Sequence, residues 1–150
     1  MRVNGKEIGK DVDFPENIGV IIEAPGFLPS LSAYKNLDYL ASLRGVIGKE
    51  QIRSAISAVG LDPDDKKHVG KYSLGMKQRL GIAQAIMEDP DILILDEPMN
   101  ALDKSGVAEI RELLLRLKGE GKTILIVSHN PEDIHMLCDT VHEMDGGKLC

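Results

Sequence analysis

Two carboxylates follow an apolar run in the second half of the chain. The run ILIL, residues 92–95, leads directly into Asp96 and Glu97. Such a run is typical of a buried parallel strand whose carboxyl end opens at the ligand-binding edge of a sheet. An aspartate there can hold a magnesium ion that bridges phosphates, and the next glutamate can orient or deprotonate water. These residues alone leave open the alternative of a buried strand that ends in an ordinary polar turn.

Two other segments carry residues that could serve the same chemistry. Ser73 and Gly75 stand where a helical pattern begins, and helix N-termini offer free N–H groups and a positive dipole to an anion. By itself this segment is better explained as an ordinary capped amphipathic helix. His129 follows the apolar run TILIV, which predicts that it lies at the same sheet edge as Asp96 and Glu97. A lone histidine after a strand is, however, more often an ordinary surface or core residue.

Alternating patterns in the second half of the chain predict the elements that position these side chains. Strands are predicted in DILILD and KTILIVS, and helices in KSGVAEIRELLLRLKG and NPEDIHMLC, the latter with Asn130 as its N-cap. A further strand with a glycine turn is expected in DTVHEMDGGKL. Because strands that alternate with helices usually pair in parallel, this order predicts a parallel α/β sheet.

The first half of the chain is predicted to be mainly helical. A short β-branched strand in residues 18–22 precedes three helical patterns. They are SAYKNLDYLASLRG with Ser32 as N-cap, KEQIRSAISAVG, and a third one from about Gly75 to Glu88 with Ser73 as N-cap. We therefore predict an α/β fold in which residues 30–88 form a helical insert. Residues 1–29 and 89–150 then supply two portions of the α/β core.

Composition limits the classes of function. A hydrophobic content of 43% and a charged content of 28% are those of a folded globular protein. The net charge of −6 argues against a general nucleic-acid-binding surface. The longest apolar runs fall far short of the ~20 residues that cross a bilayer, so a membrane role is expected to act through a partner. The two cysteines lack zinc spacing and favour free thiols in a reducing cytoplasm.

Five motifs occur in an order that carries a specific resemblance. They are IGVIIEAPGFLPSLSAYKNL, YSLGMKQRL, ILILDEP, NALD and SHN. In this order they resemble the Q-loop, signature motif, Walker B strand, D-loop and switch-histidine loop of the nucleotide-binding domain of an ATP-binding cassette (ABC) transporter. The resemblance is strongest to bacitracin-resistance-like and lantibiotic-immunity-like bacterial exporters. It implies a partial P-loop NTPase fold, with a RecA-like core and a helical subdomain that contains the signature motif.

The resemblance also implies roles at the sheet edge. Asp96 would hold Mg²⁺ through water, and Glu97 would be the general base or the residue that orients water. His129 would contact the γ-phosphate of ATP. Asp103 would couple the two sites of a head-to-tail dimer of ATP-binding subunits.

The same resemblance gives Ser73 and Gly75 a role toward the nucleotide held by the other subunit.

Two departures from the family pattern bear on subtype. Glu23 stands where the Q-loop usually has glutamine, and its carboxylate is a possible metal ligand. Leu74 replaces the first of two signature glycines, which implies that this backbone position does not need a positive φ.

A phosphate-binding loop, G-x-x-x-x-G-K-[ST] after a strand and before a helix, is not found in the 150 residues. NGKEIGKD and LRGVIGKE each lack the first glycine and the final hydroxyl. RLKGEGKT ends correctly but begins with arginine, and its predicted helix and strand come in the wrong order. Because the family's loop lies upstream of the region that matches VNGKEI, we expect the N-terminal part of the domain to be absent.

The expected function is that of an ATP-binding subunit of an ABC transporter. It would couple ATP binding and hydrolysis to transport, in the export direction, through a transmembrane permease at the inner face of the cell membrane. Lacking the loop, the isolated chain is expected to be inactive as an ATPase. The alternative is a non-hydrolysing regulatory module that pairs with a complete subunit. We also expect an uncovered apolar sheet face, which favours self-association.

Overall fold

The computed structural model describes residues 2–13, 15–24 and 26–150. In chain order the elements are β1 (Arg2–Val3), β2 (Lys6–Glu7), β3 (Ile18–Ile21), α1 (Ala33–Arg44), α2 (Lys49–Ala58), a 3₁₀ turn (Val69–Lys71), α3 (Leu74–Ile86), β4 (Ile92–Asp96), α4 (Lys104–Gly119), β5 (Thr123–Val127), α5 (Pro131–Leu137), β6 (Met144–Asp145) and β7 (Lys148–Leu149). Among these described residues, no helix is long and apolar enough to cross a membrane.

The central sheet has the order β3-β4-β5, and both pairings are parallel. Ile21 pairs with Leu95, and Leu95 pairs with Ile126, so the three strands end at the same edge. The predicted parallel α/β fold is therefore confirmed. β1 with β2 and β6 with β7 form two small antiparallel hairpins. The predicted C-terminal strand is thus two short strands joined by a turn.

The caps that the sequence predicts are present at the helix starts. Ser32, Ser73 and Asn130 each accept a hydrogen bond from a backbone N–H in the first turn of α1, α3 and α5. Each bond satisfies one of the donors that a helix start leaves without a partner. The bounds differ slightly from those predicted, since α3 begins one residue earlier, at Leu74, and ends at Ile86.

The hydrophobic core lies between the sheet and the helices that follow β3 and β4. Leu37, Ile56 and Leu80 come from α1, α2 and α3, and each is fully buried. Leu95 of β4 joins them from the sheet. α3 lies so close to β3 that a β-carbon at Gly19 would overlap the carbonyl oxygen of Ala85. This packing fixes the start of α3 relative to the carboxyl edge of the sheet.

Candidate functional site

The carboxyl edge of the sheet brings together Asp96, Glu97 and His129. Asp96 is the last residue of β4, and the Glu97 N–H donates to the Val127 carbonyl oxygen at 2.8 Å. The Glu97 Oε1 atom lies 2.6 Å from His129 Nδ1 and accepts the His129 backbone N–H at 3.1 Å. The Glu97 carboxylate at the end of β4 therefore holds the loop that follows β5.

This contact alters the protonation of His129. The hydrogen bond to Glu97, together with its negative charge, raises the pKa of the His129 imidazole above its ordinary value of 6.5. The histidine side chain is 82% exposed, while the Glu97 side chain is 25% exposed. The imidazole can therefore face a ligand at this edge while one nitrogen is oriented by the protein.

Two residues near the same edge have a strained backbone. Glu97 has φ of 46° and Glu23 has φ of 62°, and both lie in the left-handed region that side-chain-bearing residues rarely adopt. Such conformations cost on the order of 1–3 kcal/mol each and tend to cluster at functional sites. Glu23 is exposed and lies two residues after the end of β3, on the edge where Asp96 ends β4. No local sequence pattern predicts either conformation.

The start of α3 packs against the loop that follows Glu97. A β-carbon at Gly75 would lie 2.7 Å from the Ala101 carbonyl oxygen, so glycine allows this close approach. Ser73 Oγ accepts the Met76 N–H at 3.1 Å, while Leu74 forms the first turn of the helix and has no positive φ. The sequence-based inference about the Leu74 backbone is thus confirmed.

Two hydrogen bonds in the segments beside Glu97 were not expected from the sequence. The Gln78 side-chain amide donates to the Pro98 carbonyl oxygen at 3.2 Å, which ties α3 to the loop beside Glu97. Asp103 caps α4, because its Oδ1 atom accepts the Gly106 N–H at 2.9 Å. An aspartate directly before a helical pattern is a known cap signal and could have revealed the second contact. The Gln78 contact spans two elements and has no local signal.

The structure also bears on the glycine–lysine pairs that resemble a phosphate-binding loop. Lys122 lies between α4 and β5, so a helix precedes it and a strand follows, as the sequence predicted. Its Nζ atom is 2.6 Å from Asp89 Oδ1, and its side chain is only 12% exposed. This lysine therefore anchors a loop in the described structure.

Comparisons with known proteins bear on the same residues. A family profile for "ABC transporter" matches residues 1–100, which include Ser73, Asp96 and Glu97. The chain is 48% identical to the uncharacterized ABC transporter ATP-binding protein YybJ of Bacillus subtilis, over 98% of this chain and 67% of that protein. It is 49% identical to the bacitracin transport ATP-binding protein BcrA of Enterococcus faecalis, over 88% of this chain and 43% of that protein.

A further relative and a solved structure agree with these matches. The lantibiotic transport ATP-binding protein SrtF of Streptococcus pyogenes is 43% identical, over 88% of this chain and 57% of that protein. The dimeric structure of MJ0796, a bacterial ABC transporter cassette, has the same fold with a TM-score of 0.71 at 24% identity, over 80% of this chain and 55% of that one. The chain thus spans only about half of the length of several relatives.

These matches confirm the resemblance drawn from the five motifs, including its bacitracin and lantibiotic subgroups. By sequence, and with a fold that agrees, the chain belongs to the ABC transporter family and represents part of its ATP-binding domain.

Proposed function

We propose that this chain contributes to the ATP-binding subunit of an ABC exporter, which couples ATP binding and hydrolysis to transport through a separate permease. The observation that carries the proposal is the 2.6 Å contact between Glu97 and His129, directly beside the strand end at Asp96. A carboxylate and an imidazole in contact at a sheet edge are suited to holding water and a terminal phosphate. In this proposal Glu97 orients or deprotonates the attacking water, and His129 contacts the γ-phosphate.

Asp96 suits a magnesium ion in the same proposal. Mg²⁺ is usually bound by one or two carboxylates together with substrate phosphates and water. Among the described residues, no group of three acidic, histidine or cysteine side chains could hold a metal ion. Asp96, with Glu23 as a further carboxylate on the edge, matches the usual pattern of few protein ligands. When bound, Mg²⁺ would neutralise charge on the phosphates of ATP.

The start of α3 suits a role toward a second subunit. Ser73 and Gly75 lie at a capped helix N-terminus, which offers N–H groups and a positive dipole to phosphate. Asp103 caps α4 and lies two residues after Ala101, whose carbonyl oxygen packs against Gly75. We therefore propose that Ser73 and Gly75 contact the nucleotide of a head-to-tail partner, with Asp103 at the junction between the two sites.

The remaining assignments follow from the same proposal. Residues 30–88 form the helical subdomain, and residues 1–29 and 89–150 belong to the RecA-like core. The residues between about 24 and 50 dock the permease, which places the protein at the inner face of the cell membrane. An export role is supported by the bacitracin and lantibiotic transport names of the relatives.

The test compares two polypeptides. One is the 150-residue chain. The other is the polypeptide translated from the same gene together with any in-frame sequence upstream of Met1. A G-x-x-x-x-G-K-[ST] motif in any such upstream sequence, together with magnesium-dependent ATP hydrolysis by the longer polypeptide, is the outcome that would support the proposal. The 150-residue chain is expected to bind ATP weakly and not to hydrolyse it, because it lacks the amides and lysine that cradle the phosphates. Micromolar ATP binding by the short chain in calorimetry would contradict this expectation.

Within the longer polypeptide, Glu97→Gln is expected to reduce the hydrolysis rate by about 10²- to 10⁴-fold, the usual contribution of a general base. Glu112→Gln is the matched control, because Glu112 is an exposed residue of α4. Equal activity of the Glu97→Gln variant and its control would refute the assigned role. A gene product without an upstream phosphate loop would instead favour the regulatory module that pairs with a complete subunit.

A further inference from the structure

Asp133 is the one charged residue that is buried in the part of the chain that the structure describes. It lies in the first turn of α5 and is 2% exposed. Its Oδ1 atom accepts a hydrogen bond from Arg111 Nε at 2.7 Å and lies 2.5 Å from Arg111 Nη2. Arg111 belongs to α4, and only 11% of its side chain is exposed. A planar guanidinium that meets a carboxylate with two nitrogens fixes the orientation of both groups, so this pair holds the start of α5 against α4.

Arg111 makes two further contacts with α5. Its Nη2 group also donates to Glu132 Oε2 at 3.1 Å, and its Nη1 group lies 3.6 Å from the sulfur atom of Met136. The guanidinium therefore touches the helix from its first turn to its last. These contacts oppose both sliding and rotation of α5 on α4.

The segment that carries His129 is joined to Asp133 and to the start of α5. The Ser128 Oγ atom lies 3.5 Å from Asp133 Oδ2 and accepts the Asn130 N–H at 3.1 Å. Asn130 is the N-cap of α5, since its Oδ1 atom accepts the Glu132 N–H at 2.9 Å. The two residues that flank His129 are therefore held by the helix that the buried ion pair fixes.

The His129 imidazole depends on this support because it is itself exposed. Its side chain is 82% exposed. A contact between exposed charged groups is weak on its own, because ordering the side chains offsets much of the attraction. Fixing the backbone on both sides of His129 removes part of that ordering cost before the contact forms. The position of His129 against Glu97 is therefore set in part by contacts away from the sheet edge.

Packing of α5 on α4 is a simpler explanation of the Arg111–Asp133 pair, but it does not account for the charges. A buried ion pair is often no more stable than apolar residues of similar volume, because both charges lose their hydration. A second link joins the same region, since Lys118 Nζ, near the end of α4, donates to Asp139 Oδ1 at 2.6 Å, just beyond α5. Of these two links, the Arg111–Asp133 pair is the one that reaches the segment of His129.

We propose that Arg111 and Asp133 are positioning residues for His129. By fixing the start of α5 they fix the segment between β5 and α5, and this segment presents the imidazole to Glu97. One nitrogen of the ring is then held by the protein, while the other is left for a ligand at the sheet edge. The contact of that nitrogen with a terminal phosphate rests on the proposed function, whereas the positioning concerns contacts within this chain.

The protonation of His129 reports whether its ring stays on Glu97. The hydrogen bond and the charge of Glu97 raise the pKa of the imidazole, and the charge of Asp133 adds to this rise. The variant Arg111→Gln tests the proposal through the sign of the change. Positioning predicts a fall in the His129 pKa, because the ring leaves Glu97. Charge alone predicts a rise, because a cation is removed from beside Asp133.

The pKa is measured by an NMR titration of the 150-residue chain, in which a His129→Gln variant identifies the His129 signals by their absence. Arg111→Gln is expected to lower the His129 pKa relative to the parent chain. Lys118→Gln is the matched control, since it removes a cation from the other end of the same helix junction, and it should leave this pKa as in the parent chain. Circular dichroism verifies that each variant is folded.

Ser128→Ala is a second variant, because a buried carboxylate without its guanidinium destabilises the fold. It removes a hydroxyl group and no charge, and it is expected to lower the His129 pKa as well. In a Glu97→Gln background the same substitution should leave the pKa unchanged, because the contact between ring and carboxylate is already lost.

Three results would overturn the proposal. One is a His129 pKa that rises or stays constant in folded Arg111→Gln. Another is an equal fall in Lys118→Gln, which would show that any loosening of α5 has the same effect. The third, decisive where Arg111→Gln does not fold, is an unchanged His129 pKa in Ser128→Ala. The titration contains no nucleotide, so a failure of the proposed ATPase function would leave its result unchanged.

Discussion

The two faces of the central sheet are built from the same three strands and have opposite surroundings. On one face Leu95 is 0% exposed, Leu93 is 1% exposed and Ile21 is 4% exposed. On the other face Leu125 is 57% exposed and Val127 is 53% exposed. Alternate residues of a strand point to opposite faces, so the register of the strands assigns each side chain to one of them. We call them the covered face and the bare face.

The difference shows that apolar sequence alone does not reveal which face is buried. A run such as TILIV suits a strand that is covered on both sides, as is usual in parallel sheets. In the described structure only the covered face packs against helices and contributes to the core. The bare face carries exposed apolar side chains of the kind that normally mark an interaction surface.

The largest expected effect comes from removing a side chain from the covered face. Leu95→Ala is expected to lower the free energy of unfolding by ~2–5 kcal/mol, because it leaves a cavity in the core. Leu125→Ala removes the same atoms from the bare face and is expected to change the free energy of unfolding by less than ~0.5 kcal/mol. Urea denaturation of both variants measures the contrast. Similar losses in the two variants would show that the bare face is buried in solution.

A second substitution tests how closely α3 packs on the covered face. Gly19→Ala is expected to cost ~1–3 kcal/mol, because its β-carbon would overlap the backbone carbonyl of Ala85 and force α3 away from β3. Gly119→Ala is the control, since no atom lies within 4 Å of a β-carbon there and α4 gains a better helix former. The thermal unfolding midpoint should fall in the first variant only. An unchanged midpoint for Gly19→Ala would mean that this contact is looser than described.

A third experiment concerns association through the bare face. Exposed apolar patches favour contact between molecules, so we expect the isolated chain to self-associate. The variant Leu125→Glu/Val127→Glu should shift the distribution toward monomer in multi-angle light scattering, with less than ~1 kcal/mol change in stability. The control Leu43→Glu places a charge on the exposed face of α1. A monodisperse monomer in the parent chain would contradict the expected association.

The parts of the fold that depend on neighbouring residues were predictable from the sequence. Ser32, Ser73 and Asn130 mark helix starts through short-range capping, and the parallel strands follow from their alternation with helices. The contact between Glu97 and His129 spans 32 residues, yet their shared sheet edge could be predicted because both follow parallel strands.

Other features depend on tertiary packing and were not predictable. The left-handed backbone of Glu97 is unusual for glutamate, and it arises where the chain leaves β4 under the constraint of the hydrogen bond to Val127. The amide of Gln78 meets the Pro98 carbonyl only because α3 is packed on the sheet. An uncovered apolar face was expected from the resemblance, but the pattern within the strand does not encode which of the two faces it is.

The smallest expected effect concerns the protonation of His129, at the carboxyl edge where the two faces of the sheet meet. Glu97 raises the pKa of His129 above 6.5, so the folded chain holds this proton more tightly than the unfolded chain. The resulting stabilisation is complete at pH values below 6.5 and is lost as the pH rises through the higher folded-state pKa. Because His129 is exposed to solvent, we expect only a slight decline in unfolding free energy across this range.

An NMR titration of the His129 ring isolates this effect from other titrating groups. In the Glu97→Gln variant the pKa of His129 should fall toward its ordinary value, because the neutral amide removes the negative charge and weakens the hydrogen bond. Glu112→Gln removes an exposed carboxylate from α4 and should leave the His129 pKa as in the parent chain. An equal His129 pKa in all three proteins would show that the two side chains are not in contact in solution. The edge would then lack the oriented imidazole on which the proposed γ-phosphate contact depends, even if both faces of the sheet behaved as expected.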